Sequence, residues 1–99
     1  MNETIYVDAS KEGCVILVDG KFYKVEGSIE KCCSFDGILD KCCKVNDNGS
    51  VEQTKYIIID DSTIGKVFSD KLKSMRIVVL TIDKNQVSDK TKQIISNMW

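Results

Sequence analysis

The chain has no histidine and no proline, and its six glycines are scattered. Each absence excludes something. Without histidine there is no Ser-His-Asp or Cys-His catalytic set, no His-ligated zinc and no imidazole pH switch. Without proline, nothing interrupts helix or strand interiors. None of the glycines opens a phosphate-loop pattern. Apolar runs such as Tyr56–Ile59 and Ile77–Leu80 fall far below the ~20 residues that span a bilayer. The first eight residues, Met1 to Asp8, carry neither a basic start nor an apolar stretch of signal-peptide length. The expectation is a cytoplasmic protein, with no membrane partner, in a compartment that keeps thiols reduced.

Charge is equally sparing. Fourteen basic side chains face fifteen acidic ones, a net of −1, so no basic surface points to nucleic acid as a partner. No Pro-rich, Gly/Ser-rich or single-charge segment marks a linker, and 99 residues suit one core. Residues 1–99 are therefore read as a single domain.

Local signals within it give an α+β fold. Thr4–Asp8 and Cys14–Val18 read as strands, and Asp19-Gly20 before Lys21–Glu26 predicts a two-residue hairpin turn with positive φ at both positions. Further on, Lys55–Asp60 and Arg76–Ile82 carry continuous β-branched runs that suggest strands buried on both faces. Between them Ile64, Val67, Phe68, Leu72 and Met75 recur at helical spacing, with Ser62 or Thr63 as the cap. Val87, Thr91, Ile94, Ile95, Met98 and Trp99 predict a last helix from about Ser88. The resulting order is an N-terminal β-meander, a central Cys-rich helical element, then strand–helix–strand–helix on one mixed sheet covered mainly on one face.

Cysteine is the residue in excess, with five. Four of them lie in a ten-residue repeat: Gly27-Ser28-Ile29-Glu30-Lys31-Cys32-Cys33-Ser34-Phe35 aligns with Gly37-Ile38-Leu39-Asp40-Lys41-Cys42-Cys43-Lys44-Val45. As helix, each copy places an aliphatic residue and two thiols on one face, and Asn48-Gly49 supplies a stop. Cys33 and Cys42 would then stand about 13 Å apart in a continuous helix, too far for a shared bond or ion. As hairpin, only a four-residue loop sets the two Cys pairs opposite each other. Adjacent cysteines diverge, unlike the Cys-x-x-Cys spacing of zinc sites. The helical reading is favoured, with cysteine as a small buried hydrophobe and no cofactor required.

Three surfaces carry functional expectations. The first is an apolar one that includes Ile95, Met98 and Trp99 of the last helix, for a protein partner or self-association. This is the favoured reading, a non-enzymatic binding or regulatory protein. The second is a thiol or metal centre at Cys32, Cys33, Cys42 and Cys43. The third is Mg²⁺-dependent phosphate chemistry at Asp60, Asp61 and Asp83, which parallel strands would gather at their carboxyl ends, with Lys84 as a phosphate contact.

Overall fold

The computed structural model describes residues 3–34 and 42–99 of the chain. It is an α+β fold built on a five-stranded mixed sheet of order β3-β2-β1-β6-β7. β1 (Glu3–Ser10), β2 (Gly13–Val18) and β3 (Lys21–Glu26) form the expected antiparallel meander. Asp19 (φ 52°) and Gly20 (φ 75°) both occupy the left-handed region, as the two-residue turn demands. β6 (Lys55–Asp60) then pairs in parallel with β1, and β7 (Val79–Ile82) in parallel with β6. The first strand is thus central, hydrogen-bonded to an antiparallel neighbour on one side and a parallel one on the other.

The strand–helix–strand–helix order holds. α2 (Thr63–Ser74) is capped by Ser62, whose Oγ accepts from Gly65 N at 3.0 Å, and α3 (Asp89–Met98) by Ser88. Gly65 has a specific reason: a Cβ there would lie 2.0 Å from the Asp60 carbonyl oxygen. Its absence lets the first turn of α2 rest against the end of β6.

One face of the sheet builds the main core. Ile5, Val7, Cys14, Ile16, Ile57 and Ile59 meet Phe68 and Leu72 of α2 and the thiols of α1 (Ile29–Cys33). Burying these side chains, at about 25 cal/mol per Å² of apolar surface, is the principal stabilisation of the domain. Val67, counted in the apolar stripe, instead points to solvent.

The sheet is covered mainly on one face, as expected: on the other, α3 crosses only the upper part, where Ile95 is buried beside Tyr6 and Asp8. β6 and β7, however, are not buried on both faces. Tyr56, Val78 and Leu80 are 41%, 57% and 52% exposed, because β7 ends the sheet and α3 does not reach this part. A continuous apolar run is thus compatible with a half-open strand.

Of the repeat, Ile29–Cys33 of the first copy is helical; in the second, Cys42 is helical and Cys43–Val45 is β4, which pairs antiparallel with β5 (Val51–Gln53) in a small second sheet. Asn48-Gly49 therefore turns a hairpin, with Gly49 at φ 84°, instead of stopping a helix. Residues 35–41, which include the first five of the second copy, lie outside the described residues, and the helical reading of that stretch falls there with them. Gln53 fastens this small sheet to the large one: its side-chain amide donates to the carbonyls of Lys55 (2.9 Å) and Val78 (3.0 Å) and accepts from Val78 N (2.9 Å). This pairing of β4 with β5, anchored through Gln53, takes the end of the second copy, Cys43–Val45, into a strand.

Candidate functional site

The carboxyl ends of the parallel strands converge on two aspartates. The register pairs Val7 with Ile59, so the next residues, Asp8 and Asp60, stand side by side on adjacent strands. Asp60 is fully buried and extensively hydrogen-bonded. Its Oδ1 accepts from Ala9 N at 3.1 Å, and its Oδ2 accepts from Ser62 N at 3.3 Å and from the Ser62 hydroxyl. A buried carboxylate with this many donors ties β1, β6 and the start of α2 together.

Asp8 is placed differently. It faces a cleft of about 260 Å³ between the sheet and α3, lined also by Tyr6, Lys84, Ile95, Lys92 and Trp99. Burial pushes its carboxyl above the ordinary range, and the neighbouring Asp60 adds to this; Lys84 and hydrogen bonds from Trp99 and Tyr6 pull it back. Burial and the two carboxylates likewise raise the Tyr6 hydroxyl. Lys84 Nζ lies 3.8 Å from Asp8 and 4.0 Å from Asp60, a charge shared between two carboxylates and too far for a direct hydrogen bond to either.

The acidic site expected at Asp60, Asp61 and Asp83 is thus rearranged. Asp83 caps a 3₁₀ turn (Lys84–Gln86) by accepting from Asn85 N at 2.8 Å, and Asp61 is exposed, its N–H donating to the Ile82 carbonyl at 2.9 Å. Asp8 takes their place beside Asp60. The signal was Asp8, flanked in the first strand by Ile5, Tyr6, Val7 and Ala9, and it gains meaning only once β1 is known to pair with β6. Among the described residues, no group of three or more Cys, Asp or Glu is placed to hold a metal ion.

The thiols sort into two sets. Cys32, whose Sγ lies 3.8 Å from the Val25 carbonyl, interacts with Cys14 of β2 and neighbours Cys33, all three buried. Cys14 stands outside the repeat and was not among the expected site residues. Cys42 pairs with Cys43, Sγ to Sγ 3.8 Å, the first buried and the second partly exposed. All five are free. Burial drives the thiols towards the neutral form: Cys33 is pushed up to about 11, Cys42 up to about 12 with Cys43 reinforcing the shift, and Cys14 and Cys32 also rise. A thiol kept protonated is a poor nucleophile and ligand.

The apolar surface also moves. Ile95 is the buried residue of α3 and Met98 is half-buried, while Trp99 is 40% exposed with Lys24 Nζ stacked 5.0 Å from its ring centroid. Below α3 a row of apolar side chains crosses all five strands: Phe22, Leu17, Tyr6, Ile58 and Leu80, neighbours by register and none of them fully buried. Tyr56 and Val78 extend it by a second row. No helix among the described residues is long and apolar enough to cross a membrane. No protein-family model matches the chain, and comparisons with curated proteins and with solved structures find no match.

Proposed function

We propose that this chain is a non-enzymatic protein-binding domain whose working surface is the uncovered part of the sheet, bordered by α3. The observation that carries this is the five-strand apolar row ending in Leu80, extended by Tyr56 and Val78. Monomeric soluble proteins seldom leave a contiguous apolar patch of several hundred Å² facing water unless something covers it. Tyr6, Tyr56 and Phe22 supply the aromatic area that interface centres favour, and Lys24 and Lys84 lie along the rim. Five free thiols, four of them buried, fit the reducing cytoplasm expected for the chain. Affinity capture followed by reconstitution with the purified partner tests the reading. Ile58→Lys and Phe22→Glu abolish that binding while an exposed change on the other face, Val67→Lys, preserves it; equal binding by all three removes the proposal.

A second reading is favoured by one observation, the Asp8–Asp60 pair beside a lysine and a cleft. Two carboxylates suffice for a weakly held Mg²⁺ that completes its shell with water and ligand phosphates. In this reading Lys84, now between the carboxylates, turns to the phosphate. Mg²⁺ titration with inorganic phosphate, followed by amide chemical shifts, moves Asp8, Asp60 and Lys84 first; flat shifts at those residues exclude it.

A further inference from the structure

The two edges of the main sheet are unlike. β3, Lys21 to Glu26, carries three charged residues, Lys21, Lys24 and Glu26, along its length. Such charges on an edge oppose pairing with another chain. β7, Val79-Leu80-Thr81-Ile82, has no charged residue, and Ile77 and Val78 before it have none either. The next charges on either side are Arg76 and Asp83, both exposed.

The direction of the free backbone groups follows from one bond. Asp61 N donates to the Ile82 carbonyl at 2.9 Å, so Ile82 faces β6. Alternation along the strand turns Leu80 and Val78 the same way, and Gln53 meets the Val78 peptide groups at the foot of the β6–β7 ladder. The N–H and C=O groups of Val79 and Thr81 therefore point outward, off the edge of the sheet.

From this geometry we propose that β7 is the seam of a homodimer, pairing antiparallel with β7 of a second copy about a twofold axis through Leu80. The inference rests on the reading of the protein as an association domain and names the partner of its edge. With the axis perpendicular to the sheet, Val79 meets Thr81 of the second copy and exchanges both backbone hydrogen bonds, and Thr81 meets Val79 likewise. Four outward N–H groups and their carbonyl partners are satisfied at once. Leu80 faces its own symmetry mate at a non-hydrogen-bonded position, where side chains approach most closely. Val78 faces Ile82 of the second copy on the same surface, so the exposed large apolar residues of β7 and its approach, Val78 and Leu80, are covered by apolar neighbours. Asp83 of the second copy reaches the end of the strand that carries Arg76, giving opposite charges at both ends of the seam. A twofold interface needs this self-complementarity, and four uncharged residues in this register provide it. Two open faces then join side by side into a single ten-stranded surface.

Sedimentation equilibrium of the full chain tests the pairing. Wild type is expected at twice the 11.1 kDa chain mass at tens of micromolar, and Leu80→Lys, which sets two ammonium groups against each other on the axis, at the mass of one chain. An amide spectrum showing Leu80→Lys still folded makes its loss of mass a loss of the seam. Register is read with Leu80→Cys under oxidising conditions. It cross-links to a covalent dimer several-fold more than Val78→Cys, because only residue 80 faces itself. A wild-type chain that stays monomeric at 100 µM overturns the proposal, as does equal cross-linking at 78 and 80. Wild-type monomer that still binds a purified partner through Phe22 and Ile58 removes the seam alone; a dimer without such a partner leaves the seam standing and removes the face reading.

Discussion

The two faces of one sheet are made from similar residues and have opposite fates. On β6 and β7, Ile57, Ile59 and Val79 are buried against α2, whereas Ile58 and Leu80, their immediate neighbours in sequence, stay partly or largely in water. Hydrophobicity does not separate them. What separates them is coverage: α1 and α2 close one face, and α3 closes only the upper part of the other. A side chain's contribution to stability depends on what is packed over it, and an uncovered apolar residue is available for something else.

Mutation sharpens that contrast. The largest effect is expected on the closed face, where Phe68→Ala removes a fully buried ring and costs about 3–5 kcal/mol in urea unfolding. Next comes the buried polar tie between the strand ends. Asp60→Ala leaves the Ala9 amide without its acceptor and frees the cap of α2, for roughly 2–3 kcal/mol. The neighbouring Asp8 answers in the opposite direction: its carboxyl is raised by burial, so its ionised form is disfavoured in the fold. Its stabilising contribution is therefore present below the unfolded pKa and is lost as pH rises past the folded one. Asp8→Asn should accordingly unfold no earlier than wild type at neutral pH, and an earlier thermal midpoint would show that the Lys84 contact outweighs burial.

The thiols report on the same closed face. Cys33 and Cys42 sit near 11 and 12 in the fold, above the ordinary thiol value of about 8.5. A raised pKa contributes stability that is complete below the unfolded value and disappears as pH climbs through the folded one. The thermal midpoint should hold to about pH 8.5 and then fall towards pH 11; a midpoint flat across that window would mean the thiols are not buried as described. The smallest stability effect belongs to the open face. Leu80→Thr should change stability by no more than about 0.5 kcal/mol, while weakening self-association measured by sedimentation. A large loss of stability there would show that Leu80 belongs to the core and break the comparison.

Much of this was legible in the sequence wherever the decisive chemistry lies within a few residues. The Asp19-Gly20 turn, a cap at Ser62 or Thr63, the start of the last helix near Ser88 and the succession of main-sheet strands and long helices were readable, because positive φ and orphan amides are satisfied locally. The repeat was readable only in part. Ile29–Cys33 is the helix that its spacing suggests, but the strand at Cys43–Val45 depends on β5 and Gln53, which lie downstream. Asp8 escaped notice for a related reason. On its own strand it is one of two acids, with Glu3, and its partner Asp60 is 52 positions away.

By itself, then, the sequence determined the kind of elements, their ends and the chemistries excluded by the lack of histidine. Only the tertiary structure decided which aspartates meet, which thiols neighbour one another and which half of an apolar strand is left in water. The physical reason is range. Caps and turns are settled by the backbone groups nearest to them, whereas burial and the pairing of charges depend on which distant segment arrives at each face of the sheet.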